Sequence, residues 1–521
     1  MKASKLFRSF VIWIVVVVSA SLAVPLGWAH ADDKENRGHK HDEEETRVPN
    51  HFGRMFELKP FAEPTSAVKA ALLELGKAGG ILDAGDNLAA GPIQLIVDPA
   101  LSVNNRNNPM HTAGTTFLGQ FLDHDMMFDS SSPLGEPIDP RTVPNRRTPS
   151  FDLDSVYGNG PLESPQLYAL DDWIKFQVET SGSFEDLPRN PLNNAAILGD
   201  PRNDENLMLA GLHAAFLMFH NNAVDLIRSA DCLFSDAETF LMARQMTTYH
   251  YQWIILTEFL PQIVGQEMLD DICANGRQFY KPRFGKAIIP VEFQIVYRFG
   301  HSMARPSYRA NLAGDGGNPF FGMIFDPAGE GSVDPIDLRG RCRAPRRFIG
   351  WQTFFDFGDG NVRPNKRIDT RLSTPLFNIP LGVIVPGTPP TSLAQRNLLR
   401  HLTWSLPSGQ DIARKMHAPV LGRSDLKDIG QIRRSFATST PLWFYILREA
   451  EVTEDGLQLG PVGGRIVSEV FLGLLQSDPN SFINADPGFL PTLPTKTGCP
   501  EDFRMIDFLT FAGVDPTTRG Q

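Results

Sequence analysis

The sequence predicts a single large, mainly α domain with long irregular loops and little β structure. Three observations lead to this fold class: long apolar segments follow the helical period, strand-like alternation is scarce, and 41 prolines and 44 glycines interrupt the chain between periodic segments. With 42% hydrophobic and 21% charged residues, a chain of 521 residues can bury a large core.

Apolar periodicity and helix start and stop signals define the expected helices. Residues 115–127 place four large apolar side chains on one face of a helix. Ser235 is a suitable N-cap for the segment 236–264, and Pro261 is expected to bend or end that helix. The predicted helices span residues 115–127, 205–229, 236–264, 391–405, 440–452 and 465–477, the last opening just after a Gly-Gly pair.

The N-terminus reads as a secretory signal peptide over residues 1–31. Basic residues precede an apolar run from Phe10 to Trp28, and Ala29-His30-Ala31 offers a small-x-small cleavage pattern. The run is also long enough for an uncleaved membrane anchor, and cleavage with export is the preferred interpretation. The mature protein is therefore expected to be secreted or periplasmic.

Two further regions follow the signal. Residues 32–47 are almost wholly charged or polar, which predicts a disordered leader. Residues 48–521 show no linker, repeat or low-complexity break and are expected to form the single domain.

Charge and cysteine content exclude several functional classes. A formal net charge of −11 argues against nucleic acid and anionic membranes as partners. No pair of cysteines has zinc-site or CxxC spacing. Three disulfide connectivities are open, and free buried thiols are an equal alternative; the cysteines are Cys232, Cys273, Cys342 and Cys499.

The densest polar cluster inside an apolar helix spans residues 120–125, Gln-Phe-Leu-Asp-His-Asp. Gln120 and His124 are spaced i and i+4, so they share one face of the helix. Three consecutive ionisable residues, Asp123 to Asp125, are costly to bury without partners, and the cluster therefore indicates a site. On these residues alone, a surface-facing helix end is the competing interpretation.

A second cluster lies in an extended loop, Thr148-Pro-Ser150-Phe-Asp152-Leu-Asp154. Hydroxyl, carbonyl and carboxylate oxygens spaced by twos suit a hard cation such as calcium. Taken alone, the loop is equally compatible with a plain Asx-turn.

Three more motifs complete the set: Asp200-Pro-Arg202-Asn-Asp-Glu205-Asn206, Tyr297-Arg298-Phe299-Gly300-His301, and Arg396-Asn397-Leu-Leu-Arg400 followed by Leu-Pro-Ser-Gly. Each has an ordinary structural alternative, such as charges at a helix N-terminus or a core histidine whose ring is hydrogen-bonded. Their joint occurrence in this order resembles the animal haem peroxidase (peroxidase–cyclooxygenase) superfamily, from about residue 50 to the C-terminal region. The motifs YRFGHS, RNLLR and GPVGGRIVSEVFLGLLQ are most similar to its bacterial branch, and the set also resembles the mammalian myeloperoxidase and lactoperoxidase group.

The resemblance implies a distal catalytic group on one side of a haem. His124 matches the distal histidine that moves the peroxide proton, and Arg202 matches the arginine that stabilises the leaving oxygen. Gln120 matches a distal glutamine that hydrogen-bonds water or halide.

On the other side of the haem, His301 matches the proximal iron ligand and Asn397 its hydrogen-bond acceptor. Arg298 and Arg400 resemble arginines near the haem that serve either its propionates or the distal and proximal frameworks. The implied cofactors are haem b and one calcium ion.

Asp123 and Glu205 match carboxylates that form ester bonds to haem methyl groups in the mammalian enzymes. Asn206 departs from the methionine that forms an additional sulfonium link in one of them. Asparagine cannot form that link, so bromide, iodide, thiocyanate or phenols are better substrate expectations than chloride.

The resemblance also assigns the calcium ligands. Asp125 is the first ligand, and the loop supplies the others: Thr148, Ser150 through its carbonyl, Asp152 and Asp154. Asp154 replaces the usual serine, and the added negative charge is expected to hold calcium at least as firmly.

The implied function is reduction of hydrogen peroxide through an oxoferryl intermediate, with oxidation of small anionic or phenolic donors. A fatty-acid oxygenase of cyclooxygenase type is the first alternative. Such enzymes use a tyrosine three residues before the proximal histidine, where this chain has Arg298, and Tyr297 lies four before. A haem protein without turnover and a calcium-binding domain without haem are further alternatives.

Overall fold

The fold is built mainly from apolar helices. The computed structural model describes residues 50–230, 233–383 and 387–519. The predicted signal peptide and charged leader lie outside the described residues. The helices are α1 Ser66–Leu75, α2 Gly91–Val97, α3 Ala113–Met126, α4 Asp154–Tyr157, α5 Leu207–Ala230, α6 Asp236–Ile254, α7 Leu260–Val264, α8 Gln266–Asn275, α9 Val291–Val296, α10 Gly300–Met303, α11 Leu393–Thr403, α12 Gly409–Lys415, α13 Lys427–Ile432, α14 Leu442–Thr453, α15 Pro461–Ser477, α16 Phe482–Ala485 and α17 Met505–Phe511.

The β structure is limited to short antiparallel pairs. The strands are β1 Asn107–Thr112, β2 Glu179–Ser181, β3 Phe184–Asp186, β4 Ser307–Arg309, β5 Phe321–Met323 and β6 Pro364–Lys366. They pair as β1–β6, β2–β3 and β4–β5. The mainly α fold class with little β structure is thus confirmed.

Helices α3 and α5 pack through aromatic side chains at the centre of the core. Phe121 of α3 stacks on Phe216 of α5 with ring centroids 4.5 Å apart, and Phe216 also contacts Phe508 of α17. In the part of the chain that the structure describes, α5 is the one helix long and apolar enough to cross a membrane. Its apolar window is 78% buried inside the fold, as is typical of a core helix.

The predicted helix 236–264 forms with one irregularity. Ser235 makes a capping box with Glu238 at its start. The chain then widens into a π-helical turn at Ile255–Phe259, just before Pro261. Proline cannot donate an intrahelical hydrogen bond and its ring crowds the preceding turn, and a π turn accommodates both.

Helix α15 begins at Pro461, four residues earlier than predicted. Gly463 and Gly464 both lie inside the helix, and the packing is tight at Gly463. A Cβ at Gly463 would stand 3.2 Å from a Leu459 methyl carbon and 3.4 Å from Ile446. The glycine pair is thus a packing feature and does not mark the helix start.

One outward-facing apolar side chain and the cysteines show how burial is distributed. Met242 is 37% exposed, because α6 turns Phe240 and Ala243 inward. Cys273, Cys342 and Cys499 are free thiols, and Cys273 and Cys499 are exposed; Cys232 lies outside the described residues.

We expect Gly114→Ala to destabilise the protein by about 1–3 kcal/mol, the usual cost of overpacking a core. A Cβ at Gly114 would lie 2.5–2.6 Å from three ring carbons of Phe355, at the start of α3. Denaturant unfolding would measure the change, with Gly488→Ala as control because that glycine is exposed and uncrowded. Equal midpoints for the two variants would contradict the prediction.

Candidate active site

Four of the motifs converge on one cavity of about 270 Å³. Its walls come from α3, from the 3-10 turn Pro201–Asp204 that leads into α5, from the turn Tyr297–Phe299 with α10, and from α11. The predicted residues that line it are Gln120, Asp123, His124, Arg202, Glu205, Arg298, His301 and Arg400. The fold therefore brings together residues up to 280 positions apart in the sequence.

His124 lies in the last turn of α3 and is buried, with 4% of its surface exposed. Its Nδ1 lies 2.9 Å from the side-chain oxygen of Asn203. Burial, together with the charge of Arg202, lowers the pKa of His124 to about 3, so the ring is neutral near pH 7. Because Asn203 accepts from Nδ1–H, the free Nε2 carries the lone pair of a base.

Asn203 is a site residue that the sequence analysis missed. It is fully buried, and its amide nitrogen donates to Nδ1 of His213 at 3.0 Å. One side chain thus links two histidine rings and fixes the tautomer of each. An asparagine one residue after Arg202 is an ordinary helix-start residue, so only the fold reveals this role.

Arg202 is held rigidly at the edge of the cavity. Its guanidinium pairs with Asp200 through Nε and Nη2 at 3.0 and 2.8 Å, and Nη2 also donates to the carbonyls of His124 and Met127. The group stacks on Phe128, 4.2 Å from the ring centroid. The other terminal nitrogen of the guanidinium, Nη1, lies 3.7 Å from a carboxylate oxygen of Asp123. A fixed cation therefore stands beside His124.

Gln120 connects α3 to the start of α5. Its amide nitrogen lies 3.4 Å from Glu205, and its oxygen accepts from Asn206 at 3.2 Å. Asn206 also caps α5, accepting from the backbone N–H of Leu209 at 3.0 Å. Asparagine at this position thus has a structural role of its own.

The two carboxylates that resemble ester-forming groups both line the cavity. Burial raises the pKa of Glu205 to about 7, against the opposing charge of Arg202. Burial likewise raises the pKa of Asp123. A carboxyl group with a raised pKa is readily held in its neutral form.

His301 lines the same cavity and belongs to a different motif from His124. Its Nδ1 lies 2.7 Å from the amide nitrogen Nδ2 of Asn397 on α11, which donates, whereas the resemblance implies that Asn397 accepts from this ring. Burial and the charge of Arg298 lower the pKa of His301 to about 3, which leaves a neutral ring. Exchange of the Asn397 amide oxygen and nitrogen would make Asn397 the acceptor of Nδ1–H and leave Nε2 available to a metal.

A cluster of arginines forms the wall next to His301. Arg298 lies 3.4 Å from Asn397, and its buried Nε has no hydrogen-bond partner among the described residues. Arg400 pairs with Asp129 at 2.8 Å, and Arg396 donates to the carbonyl of Thr388 at 2.7 Å. Burial and the charge of Arg400 lower the pKa of Arg298 to about 10. On this wall three arginines stand beside the carboxylate of Asp129, so positive charge is in excess.

These features fit a haem group. A neutral imidazole from each of two walls suits a proximal ligand and a distal base. The unpartnered Nε of Arg298 and the excess of arginines suit two propionates. A Cβ at Gly300, next to His301, would meet no protein atom within 4 Å, so the backbone there is open to the cavity.

A second site lies behind His124. Three carboxylate oxygens lie within 4.8 Å of one another, one each from Asp125, Asp152 and Asp154. Asp125 is fully buried, and it accepts from Ser155, Leu153 and Tyr251 at 2.9–3.2 Å. Burial and the neighbouring carboxylate of Asp154 raise the pKa of Asp152 to about 7. A bound cation would stabilise three carboxylates that lie this close together.

The remaining predicted calcium ligands lie beside this cluster. The backbone N–H of Thr148 donates to Asp154 at 2.8 Å, and Arg147 approaches the same carboxylate at 3.3 Å. The hydroxyl of Ser150 bonds to Asp478, which leaves the predicted carbonyl of Ser150 free for a metal. The oxygen donors fit calcium, and Leu153 adopts φ 60° between the two loop aspartates.

Tyr297 is the tyrosine nearest in sequence to the position that the oxygenase alternative requires. It lines the cavity, and its hydroxyl donates to the carbonyl of Gly119 on α3 at 3.0 Å. Arg298, three residues before His301, makes its contacts with Asn397 instead. The position that a cyclooxygenase-type reaction requires therefore holds an arginine next to Asn397.

Comparison with known proteins agrees with this geometry. Residues 129–318 match the family model described as animal haem peroxidase, a stretch that includes Arg202, Glu205 and His301. A peroxidasin homolog of Caenorhabditis briggsae is 23% identical over 376 residues, which cover 64% of this chain and 27% of that protein. Human eosinophil peroxidase is 27% identical over 164 residues, 29% of this chain and 22% of that protein. The chain spans about a quarter of the length of these curated relatives.

Solved structures show the same fold. Peroxidase A from Dictyostelium discoideum superimposes with a TM-score of 0.55 at 18% identity, covering 74% of this chain and 83% of that one. The fatty acid alpha-dioxygenase of Oryza sativa gives 0.53 at 15% identity, covering 78% and 73%. The family match identifies an animal haem peroxidase domain in this chain, and the peroxidase relatives and the shared fold agree with it.

Proposed function

We propose that this protein is a haem-dependent peroxidase that reduces hydrogen peroxide and oxidises small anionic or phenolic donors. One observation carries the proposal: two buried, neutral histidines face one cavity from different walls, and a rigid arginine stands beside one of them. A merely structural haem site needs the ligand histidine but has no use for a base and a cation on the other side.

Haem supplies the redox chemistry: it binds peroxide, accepts two oxidising equivalents and returns them to donors. Nε2 of His301 is the proposed iron ligand. Asn397 orients its ring through Nδ1, and Arg298 and Arg400 offer positive charge for the propionates.

His124 is the proposed acid–base residue. Its Nε2 takes the proton from one peroxide oxygen and gives it to the other, which leaves as water. Arg202 stabilises negative charge on the departing oxygen, and Asp200 fixes the guanidinium so that no reorganisation is required. Gln120 is placed to hydrogen-bond water or a halide.

Replacing Asn203 with leucine should slow peroxide reduction by about 10- to 100-fold, the usual cost of losing a group that orients a functional histidine. The His124 ring would lose the acceptor for Nδ1–H, and both tautomers would become accessible. Stopped-flow mixing with peroxide measures the rate. His220→Gln, on the following helix α5, is a control, since that ring bonds to Tyr157 and does not line the cavity. Asn203→Asp, which retains the acceptor, should recover much of the rate; an unchanged rate in the leucine variant would argue against the role.

Asp123 and Glu205 are the proposed sites of ester links to the haem. Both line the cavity, and their raised pKa values favour the neutral carboxyl group. Asn206 offers no sulfonium link, which supports bromide, iodide, thiocyanate or phenols as donors in preference to chloride.

We further propose that Asp125, Asp152 and Asp154, with Thr148 and the carbonyl of Ser150, bind one calcium ion. Because Asp125 directly follows His124, the ion would fix the end of α3 and the height of His124 in the cavity. The signal-like residues 1–31 support a secreted or periplasmic location.

The first test is to load the purified chain with haem and follow peroxide consumption with iodide and, separately, with guaiacol. Peroxide-dependent oxidation of either donor supports the proposal, and a haem band that resists acid-acetone extraction supports the ester links. Haem uptake without peroxide turnover would contradict it. Oxygen uptake with linoleate would instead favour the oxygenase alternative, which shares this fold.

A further inference from the structure

An arginine-rich loop lies against the cavity wall of this acidic protein. Residues 339–347, RGRCRAPRR, contain five arginines in a chain of net charge −11. Four of the five form ion pairs: Arg339 with Asp337, Arg343 with Glu179 and Asp186, and Arg346 and Arg347 with Asp334. These pairs account for most of the loop's positive charge.

Arg341 is the exception. It is exposed, and among the described residues no carboxylate forms an ion pair with it. Its guanidinium donates only to the backbone carbonyl of Gly382. Its backbone adopts φ 63°, a conformation that costs free energy for a residue with a side chain and persists only where the surroundings impose it.

The loop is fixed directly onto the cavity wall. The backbone N–H of Gly340 donates to the carbonyl of Glu205 at 2.9 Å, and a Cβ at Gly340 would lie only 1.9 Å from the carbonyl oxygen of Asp204. Glu205 lines the cavity on this side. Arg341 follows immediately, and the positive charge it carries acts to lower the pKa of Glu205.

The carbonyl that Arg341 contacts also lies next to the cavity lining. Gly382 precedes Val383, which lines the cavity. Arg341 is not itself a lining residue, but it adjoins the lining residues Glu205 and Val383 through Gly340 and Gly382, and we call these two residues with Arg341 the rim. A cation without a carboxylate partner at the rim attracts anions, while the net charge of the whole protein repels them.

We propose that Arg341 is the docking residue for small anionic electron donors, such as iodide and thiocyanate, at the rim of the haem cavity. The inference rests on the proposed peroxidase function and names the donor class that the site selects. Arg341 adds no chemical step, because it acts on the approach and binding of the donor. Neutral donors gain nothing from it.

The test compares anionic and neutral donors in the haem-loaded protein. For Arg341→Gln we expect kcat/KM for iodide to fall about three- to tenfold, with kcat/KM for guaiacol unchanged. The difference should shrink as the ionic strength rises from about 0.01 M to about 1 M, since the screening length falls from about 30 Å to about 3 Å. The dissociation constant of thiocyanate, from Soret difference spectra without peroxide, should rise by a similar factor.

Two further variants separate charge from structure. Arg341→Lys keeps the charge and should retain most of the preference for iodide. Arg423→Gln removes one exposed charge outside the cavity lining and should leave the ratio of the two donors unchanged. A parallel fall for iodide and guaiacol, or no fall, would overturn the role of Arg341 while the peroxidase proposal stands. Failure of the unmodified holoprotein to oxidise either donor would overturn both.

Discussion

His124→Ala is expected to reduce the rate of peroxide reduction by about 10²–10⁴-fold, the range for loss of a general acid–base group. Burial and the hydrogen bond from Nδ1 to Asn203 hold the free Nε2 of this imidazole as a base. Arg202 would remain in place, because Asp200 and two backbone carbonyls hold it. The residual rate therefore measures what the fixed cation contributes alone.

The measurement is the rate at which the ferric Soret band changes after rapid mixing with peroxide. Haem content should be normal, since His301 and Asn397 are untouched and belong to other elements of the fold. His417→Asn is a suitable control, because that histidine is exposed and outside the cavity lining. A variant that binds haem and reacts with peroxide at the rate of the unmodified protein would refute the assignment of His124.

Calcium removal is expected to give the largest change in stability. A ligand that binds only the folded state at a thousand times its dissociation constant contributes about 4 kcal/mol. For a domain of this size that corresponds to roughly 4 °C in Tm. Without a cation, the three carboxylates within 4.8 Å repel one another, and the loop should loosen from α3. Calorimetry with calcium and with EGTA measures the difference.

Asp152→Asn provides the matched variant, because it removes one charge and keeps the side-chain shape. We expect it to lose most of the stabilisation by calcium. In EGTA it should be more stable than the unmodified protein, since one of three repelling charges is gone. Peroxide reduction should also slow on calcium removal, because Asp125 adjoins His124. Identical melting curves with calcium and with EGTA would refute a calcium site.

Local sequence patterns predicted the helices well where burial and capping agree. The apolar face of 115–127, the N-cap Ser235 and the length of 205–229 all correspond to helices in the structure. The start of α15 was predicted too late, because a Gly-Gly pair was interpreted as a helix boundary. In the folded protein those glycines admit Leu459 and Ile446, a reason that exists only between elements.

The sequence by itself determined the fold class, and it made His124, Arg202 and His301 candidates because the motifs that hold them, taken together, resemble a known family. Tertiary structure alone decided that they face one cavity, that Asn203 joins two histidine rings and that Arg341 has no carboxylate partner among the described residues. The physical reason is the distance along the chain over which each interaction acts. Helical periodicity and capping act within a few residues, whereas burial, ion pairing and tautomer choice depend on groups that only folding brings together.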